Sequence, residues 1–301
     1  MFNKIFSKVS NKVSFYKQDL KSKGLYWSVI HRLYKLPKVK KLILPIVDYL
    51  KPKYLIIDGH KFFIDKRDTT VSQELILSGK WEEYETSLFK RKIKKGDVVL
   101  DIGAHIGYYT LIAADIVGDK GKVYAFEPDP KNFTLLERNV HENGYKNVVL
   151  VNKAVAEETG SLRLYLNTEN TGDHRIYKAS DKRKSIKIQA ITIDDFFKDK
   201  NKKVNMIKMD IQGSEVRAFK GALKLIRQNQ NIKILTEFWP YGLKLSGSSA
   251  KEYVRLLVNN NFRLFDLDEI KKKKTEINDN ELLYSSDSGV DSFRYLFCLK
   301  N

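Results

Sequence analysis

A short glycine-containing loop carries the first recognisable chemistry in this sequence. It reads Asp101-Ile102-Gly103-Ala104-His105-Ile106-Gly107 and follows a short apolar run. Such loops bind dinucleotides when they read G-x-G-x-x-G, because the second glycine lets the backbone approach a pyrophosphate. Here the second glycine is replaced by His105 and the third by Tyr108. These side chains disfavour a pyrophosphate and favour a nucleoside without phosphates, such as S-adenosylmethionine (SAM), whose carboxylate would face the next helix.

A carboxylate follows the loop at the distance expected for a ribose ligand. Glu127 ends the apolar run Lys122 to Phe126, 20 residues beyond Gly107. A carboxylate at the end of the second strand can accept the protons of both ribose hydroxyls, for SAM and NAD alike. The adenine is expected to lie against the later loop that holds Asn152 and Ala154. These observations predict a nucleoside cofactor site, which the following residues share: Asp101, Gly103, His105, Gly107, Glu127, Asn152, Ala154 and Asp210.

Five sequence blocks, in order, resemble the FkbM family of SAM-dependent methyltransferases. They are DIGAHIGYYTL, AFEPDPKNFTLLERNVHENG, VNKAVAEETGSLRLYLN, ITIDDFF and IKMDIQGSEVRAFKGA, and the resemblance covers roughly Trp81 to Pro240. It implies a class I methyltransferase fold, with a seven-stranded sheet whose last strand is antiparallel. It also implies transfer of a methyl group to a hydroxyl, typically of a sugar in a surface glycan or a secreted natural product.

The sequence departs from the family pattern at two positions. The usual Asn of the glycine loop is His105, and the usual Glu of the D-x-E-G-x-E block is Gln212. Asp210 and Glu215 stand at their matching positions. The loss of an acid at Gln212 weakens any mechanism that needs a carboxylate there, as metal ligand or as base.

Three side chains are candidates for removing the proton of the acceptor hydroxyl. His174 lies in the polar loop from Asn167 to Ser185. Asp210 ends the fourth core strand, and Glu237 ends the fifth. Methyl transfer requires alignment and proton removal, and an imidazole with a pKa near 6.5 suits the proton. We therefore predict His174 as the general base, with Asp210 and Glu237 as rivals. His174 could equally be an ordinary loop histidine.

Further polar and aromatic residues near these strand ends are predicted to contact the acceptor. Trp239 and Tyr241 could stack against a sugar ring, although core packing is the commoner role for aromatic residues. The predicted acceptor-binding residues are Asn170, Asp173, Arg175, Gln212, Trp239 and Tyr241. Asp210 and Glu237 could instead hold a divalent cation such as magnesium, but two acids are too few to assign a metal.

Alternating strands and helices place these residues on a doubly wound α/β sheet. The core strands are predicted at Val98 to Gly103, Lys122 to Phe126, Val148 to Val155, Val204 to Ile211 and Lys233 to Phe238. A hairpin pair, Leu162 to Leu166 and Ile186 to Ile191, encloses the polar loop. Ser214 is predicted to cap a helix running to Ile226, and Lys271 to Lys274 is predicted to be a solvated loop. Helices are expected on both faces of the sheet.

Charge divides the chain of 301 residues unevenly. The net charge is +18, and the first 53 residues alone hold 13 Lys or Arg and two Asp. We predict a basic, mainly helical N-terminal arm over 1–53, a cap or lid over 54–93 and the main domain over 94–301. The arm could attract an anionic membrane, RNA or a phosphate-bearing substrate, or serve only solubility. A single cysteine, Cys298, excludes a disulfide scaffold within the chain.

Several classes of function compete on these observations. An RNA methyltransferase would use the basic arm, but the arm matches no RNA-binding signature, so nucleic acid is not the expected partner. A NAD-dependent oxidoreductase is disfavoured by His105 and Tyr108. A non-catalytic glycan-binding protein on the same fold is disfavoured by the intact cofactor residues. No apolar stretch is long enough to cross a membrane. We expect a cytoplasmic O-methyltransferase of polysaccharide or related biosynthesis that contacts the inner membrane face through its arm.

Overall fold

The computed structural model describes residues 52–179, 182–199, 203–284 and 293–300. The predicted basic arm, apart from its last two residues, lies outside the described residues. The strands are β1 (Tyr54–Ile57), β2 (His60–Phe63), β3 (Val98–Ile102), β4 (Lys122–Phe126), β5 (Val148–Val151), β6 (Ala154–Val155), β7 (Gly160–Leu166), β8 (Lys184–Ile191), β9 (Met206–Met209), β10 (Lys233–Phe238), β11 (Phe262–Asp268), β12 (Lys273–Ile277) and β13 (Arg294–Lys300).

Ten helices connect the strands in the described part of the chain. They are α1 (Val71–Ser78), α2 (Glu83–Lys92), α3 (Tyr108–Val117), α4 (Pro130–Glu142), α5 (Ile193–Phe197), α6 (Glu215–Lys220), α7 (Leu223–Gln228), α8 (Pro240–Leu245), α9 (Ala250–Asn259) and α10 (Asp279–Tyr284). The predicted alternation of strands and helices is confirmed. Helix α1 was not predicted.

The main sheet has the strand order β12-β11-β13-β10-β9-β3-β4-β5. Strands β5, β4, β3, β9 and β10 are parallel, and β13 is antiparallel to both of its neighbours. The class I methyltransferase arrangement is therefore confirmed, with β12 as an eighth strand at one edge. The chain passes from the far edge at β5 back to β9 beside β3. Ligands bind at such reversals of strand order, outside the carboxyl ends of the strands.

Two apolar layers cover the faces of this sheet. Successive residues of a strand point to opposite faces, so Val99 packs in one layer with Leu111 of α3, and Leu100 in the other with Val216 of α6. Phe62 and Phe89, from the segment before β3, belong to the same layer as Leu111. Both sheet faces are thus closed to water, and polar side chains gather at the strand ends.

A second sheet holds the polar loop that the sequence pointed to. Strands β7 and β8 form the predicted antiparallel hairpin, and β6 joins β8 in parallel. The predicted single strand from Val148 to Val155 is therefore wrong. It breaks at Asn152, whose side-chain amide donates to the Glu127 carbonyl at 2.8 Å and turns the chain toward the second sheet.

Two further local predictions are wrong. The helix after Ser214 is divided at Gly221 into α6 and α7, and the Ser214 side chain makes no capping bond. Glu215 instead orders the loop before the helix, since its Oε1 accepts from the backbone N–H groups of Ile211 and Gly213. The predicted solvated loop from Lys271 to Lys274 is only partly a loop, because Lys274 pairs with Leu267 where β12 runs beside β11.

No helix among the described residues combines the length and the apolar character needed to span a bilayer.

Candidate active site

A cleft open to solvent lies outside the carboxyl ends of β3, β4 and β9, with an empty volume of about 550 Å³. Its walls come from both sheets and from the polar loop. They comprise Ile102, Gly103, His105, Phe126, Glu127, Pro128, Asn132, Lys153, Ala154, Val155, Leu164, Thr171, Gly172, His174, Ile176, Asp210, Ile211, Gln212 and Ser214. The structure thus brings most predicted cofactor residues and two predicted catalytic residues to one cleft.

Gly103 lets the loops after β3 and β9 approach each other. Its φ is +86°, and an added Cβ would lie 2.1 Å from the backbone oxygen of Asp210. The backbone N–H of Gly103 donates to the Phe126 carbonyl at 3.0 Å. Only glycine satisfies both the left-handed conformation and this close approach. The sequence loop therefore forms one wall of the cleft.

Two of the predicted cofactor residues lie behind this wall. Asp101 is buried, and its carboxylate accepts from the Thr110 hydroxyl, while burial raises its pKa to about 6. Gly107, with φ +95°, precedes α3 and packs against Leu136. Neither residue is among those that line the cleft. Their position fits support of the loop rather than direct contact with a ligand.

Glu127 lies in the cleft wall with both carboxylate oxygens hydrogen-bonded. Oε2 accepts from the backbone N–H of His105 and Oε1 from that of Asp129, each at 2.9 Å. Burial raises the pKa of Glu127 to about 8, although these two hydrogen bonds favour the ionised carboxylate and act in the opposite direction. Each carboxylate oxygen can accept a second hydrogen bond. The carboxylate thus keeps two further acceptor positions, as the predicted ribose site requires.

His105 reaches across the cleft. Its φ is +51°, and its Nε2 lies 2.9 Å from the Thr171 hydroxyl oxygen. Burial lowers the pKa of the imidazole. The side chain that replaces the family's usual Asn thus contacts the polar loop, a contact that the sequence alone did not reveal.

Of the two residues predicted to lie beside the adenine, one lines the cleft and the other does not. Ala154 lines the cleft, as do Lys153 and Val155. Asn152 does not line it, because its amide donates to the carbonyls of Glu127 and Pro128. The prediction for Asn152 is therefore corrected to a residue that shapes the strand break.

Most of the predicted acceptor residues of the polar loop hold the loop together. Asn170 Oδ1 is 2.7 Å from the Thr70 hydroxyl. Asp173 is buried between two cations, since Arg175 Nε and Arg183 Nη2 each lie 2.7 Å from its carboxylate oxygens. None of Asn170, Asp173 and Arg175 lines the cleft, whereas Thr171, Gly172 and His174 do.

The aromatic pair after β10 lies beside the cleft rather than in its wall. The Arg175 guanidinium lies 4.9 Å from the Trp239 ring centroid, and the same indole contacts Gly242. Tyr241 lies 5.9 Å from Trp239, measured between ring centroids. A sugar stacked on Trp239 would have to share the indole with Arg175, so the predicted stacking site is not preformed.

His174 lines the cleft but is committed to a backbone contact. Its Nδ1 accepts from the backbone N–H of Asn167 at 3.1 Å. In the neutral imidazole the proton is then on Nε2, which lies 3.8 Å from Asp129 Oδ2. Burial lowers its pKa despite the nearby acids. Both ring nitrogens are thus occupied, one by a hydrogen bond and the other by its own proton.

Asp210 faces the same cleft with its carboxylate oriented from both sides. Gln212 Nε2 donates to Oδ1 at 2.9 Å, and Lys208 Nζ lies 3.4 Å from Oδ2. Glu237 is more deeply placed. Its Oε1 lies 3.4 Å from the Gln212 amide, and within the described part of the chain its Oε2 has no hydrogen-bond partner. Burial and the neighbouring carboxylates raise the pKa of Glu237 well above its usual value.

A buried lysine beneath Asp210 was missed by sequence reasoning. Lys208 is in the middle of β9 and is 1% exposed, with Nζ 3.1 Å from Glu85 Oε1. Burial opposes its charge, but Glu85, Asp210 and Glu82 outweigh burial and raise its pKa. The signal available in the sequence was a charged residue inside an apolar central strand, since lysines are rarely buried without a partner.

A metal site does not emerge from the described residues. No group of three or more His, Cys, Asp or Glu side chains within 52–179, 182–199, 203–284 and 293–300 has the arrangement of a metal site.

Comparisons with known proteins converge on one enzyme class. A sequence model of the "Methyltransferase FkbM domain" matches residues 101–264, which is more than half of the chain. A probable cobalt-precorrin-6B C(15)-methyltransferase (decarboxylating) of Saccharolobus solfataricus is 40% identical over 70 residues, or 23% of this chain and 35% of that protein. A protein-L-isoaspartate O-methyltransferase of Methanococcoides burtonii is 38% identical over 60 residues, or 20% and 30%. The chain thus matches about a third of the length of these curated relatives.

Among solved structures, methyltransferase FkbM from Methylobacillus flagellatus KT is 16% identical, with a TM-score of 0.44 over 88% of this chain and 60% of that one. A precorrin-6y C5,15-methyltransferase from Geobacter metallireducens GS-15 has a TM-score of 0.44 and 13% identity over 82% of this chain and the whole of that one.

Proposed function

The chain belongs to the FkbM methyltransferase family and is therefore a SAM-dependent methyltransferase, and from this premise we propose that its acceptor is a sugar hydroxyl. The sugar belongs to a glycan, a nucleotide sugar or a glycosylated natural product. The observation that carries the proposal is Asp210, a carboxylate in the cleft wall that is oriented by Gln212 and Lys208. Hydroxyl methylation needs a positioned base, and a carboxylate held in the cleft wall suits that role.

The residues of the cleft fit SAM. Glu127 would hold the ribose hydroxyls, and Ala154 and Lys153 would lie beside the adenine. Ser214 Oγ belongs to a residue of the cleft wall, is buried, and has no hydrogen-bond partner among the residues that the structure describes. When bound, SAM supplies a methyl group on a positively charged sulfur.

Asp210 is a better base than His174 or Glu237 in this arrangement. Neutral His174 has no free nitrogen lone pair, and burial and the neighbouring carboxylates raise the pKa of Glu237 well above its usual value, which favours the protonated form. Asp210 accepts the hydroxyl proton while the acceptor oxygen bonds the methyl carbon and the carbon–sulfur bond breaks with its electrons left on sulfur. Lys208 and Gln212 keep the carboxylate in place for this step. His174 instead supports the polar loop through the Asn167 N–H.

Two variants and a control test this assignment. Asp210→Asn keeps the shape of the side chain and removes the base, so we expect turnover to fall by about 10²–10⁴ with SAM affinity retained. His174→Gln is expected to keep most of the turnover. Asp119→Asn, at an exposed acid, is the matched control. A nearly normal Asp210→Asn enzyme beside an inactive His174→Gln enzyme would return the base to His174.

The acceptor class is tested directly with labelled SAM. The protein is incubated in parallel with nucleotide sugars, lipid-linked glycans, finished polysaccharides and bulk RNA, and the methylated position is found by linkage analysis. Label in any sugar fraction supports the proposal. Label in RNA alone would replace it with the RNA methyltransferase alternative.

The basic arm completes the proposal for partners and location. With a net charge of +11 over 1–53, it is proposed to hold the enzyme at an anionic membrane surface, where lipid-linked acceptors reside.

A further inference from the structure

Five residues around the cleft form a closed circuit of hydrogen bonds, which we name the Glu127–Thr171 ring. Glu127 accepts from His105 N–H through Oε2 and from Asp129 N–H through Oε1. His105 Nε2 lies 2.9 Å from Thr171 Oγ1. Asn132 Nδ2 donates to the Thr171 carbonyl at 3.0 Å, and Asn132 N–H donates to Asp129 Oδ2 at 3.0 Å. Thr171 is therefore tied to Glu127 along two separate paths.

The ring joins two parts of the site with different tasks. Glu127 belongs to the cofactor side, at the end of β4, while Thr171 lies in the polar loop between β7 and β8. Gly172 and His174 of the same loop line the cleft. Two hydrogen bonds, from His105 N–H to Glu127 and between His105 Nε2 and Thr171, thus connect the cofactor side to the loop that shapes the acceptor side.

The polar loop also has anchors outside the ring. Thr171 N–H donates to Asp68 Oδ1 at 3.3 Å, and Thr69 N–H donates to the Glu169 carbonyl at 2.9 Å. These contacts do not involve any residue on the cofactor side. The loop can therefore keep its position when the hydrogen bonds of the ring are broken. The ring can change how ordered the loop is without being needed to hold it in place.

We propose that the Glu127–Thr171 ring couples cofactor binding to the acceptor loop, so that a bound cofactor orders residues 167–175 and the acceptor binds second. Ribose hydroxyls on Glu127 hold its carboxylate in the orientation that receives the His105 and Asp129 N–H groups. The bond from the His105 N–H then holds the backbone of His105, a non-glycine residue at φ +51°. It thereby also holds the imidazole in contact with Thr171. His105 and Thr171 are positioning residues. The inference rests on the proposed ribose site at Glu127.

The first test measures loop protection with the product S-adenosylhomocysteine as probe. Hydrogen exchange of residues 167–175 is compared with and without the probe in the wild type and in Thr171→Val, which removes only the hydroxyl. We expect the probe to slow exchange in the wild type, and the slowing to be about 3- to 10-fold smaller in Thr171→Val. Thr168→Val, at an exposed threonine of the same loop, is the control and should match the wild type.

Linkage supplies an independent readout. Coupling is reciprocal, so the dissociation constant of the probe should rise in Thr171→Val by the factor that is lost in loop protection. In steady-state kinetics the KM for the acceptor should rise more than kcat falls, and the compulsory order of binding should weaken. Asn132→Asp, which removes the donor to the Thr171 carbonyl, opens the other path and should give the same pattern if Thr171→Val fails to fold.

The possible failures are distinct. If the wild type does not bind the probe, the cofactor site itself is wrong. If it binds the probe but Thr171→Val and Asn132→Asp retain full loop protection and affinity, the ring does not couple the two sides and the inference is overturned, while the proposed function stands.

Discussion

The pKa of Glu127 makes cofactor affinity depend on pH in a defined direction. Burial raises this pKa to about 8 in the ligand-free protein, so at pH 7 about nine tenths of the molecules carry a protonated Glu127. At the proposed ribose site, two hydroxyls would donate to the ionised carboxylate and would therefore favour it. Binding must then displace a proton below pH 8, and SAM affinity falls as the pH falls.

The magnitude follows from this pKa. If the bound form has a pKa well below 6.5, the dissociation constant should be about 25-fold higher at pH 6.5 than at pH 8.5, or roughly 1.9 kcal/mol. Near pH 7 the binding should release about 0.9 proton per SAM, because that fraction is protonated beforehand. Above pH 9 the affinity should become independent of pH, since the carboxylate is already ionised.

Isothermal titration calorimetry measures both quantities. Titrations at five pH values give the dissociation constants, and titrations in buffers of different ionisation enthalpy give the proton count. Glu127→Gln removes the titrating group, and it should bind SAM about 1.5–3 kcal/mol more weakly than the ionised wild type, with no pH dependence between 6.5 and 8.5. Glu137→Gln, at an exposed acid of α4, should behave as the wild type. Equal wild-type affinity at pH 6.5 and 8.5, with no proton released, would refute the reasoning.

Three further outcomes are expected. Gly103→Ala should lower the free energy of unfolding by about 2–4 kcal/mol and abolish SAM binding, because the added Cβ would lie 2.1 Å from a backbone oxygen. Gly144 also has a positive φ but has open space around it. In urea titrations Gly144→Ala should therefore lower the free energy of unfolding by only about 1 kcal/mol. Lys208→Met should lower unfolding stability by about 3–5 kcal/mol, since buried acids lose their cation, and an unchanged denaturation midpoint would contradict this. Deletion of 1–53 should reduce activity on a lipid-linked or anionic acceptor at low salt with SAM affinity intact; full activity would remove the arm from recognition.

Elements with strong local signals could be predicted to the residue. Strands β4 (Lys122–Phe126) and β10 (Lys233–Phe238) match their predicted bounds. In α9 the Ser249 side chain accepts from Glu252 N–H at the helix start. Apolar runs, caps and turn residues act within a few positions of the chain, so the sequence displays them directly.

The features that escaped prediction depend on contacts that only the fold creates, most of them with partners far away in the chain. The break at Asn152 depends on a hydrogen bond to the Glu127 carbonyl. Lys208 is buried because Glu85, more than 100 residues earlier, lies beside it. His174 was predicted as the base from its residue type, but its tautomer is set by the Asn167 backbone. A hydrogen bond between distant residues leaves no periodic pattern in the sequence.

The separate second sheet has a consequence for how such an enzyme can diversify. Most of the cofactor wall is built on β3, β4 and β9 of the main sheet, with β6 of the second sheet at its side, whereas the polar loop is carried by the β7–β8 hairpin. Insertions or exchanges at a hairpin tip leave a parallel sheet undisturbed, since hairpins tolerate changes in connection length. New acceptors can thus be acquired by remodelling one hairpin over an unchanged methyl-donor site. If a grafted loop keeps a hydroxyl at the position of Thr171, that hydroxyl would make the same contact with His105. The proposed coupling between the methyl-donor side and the acceptor side would then be retained.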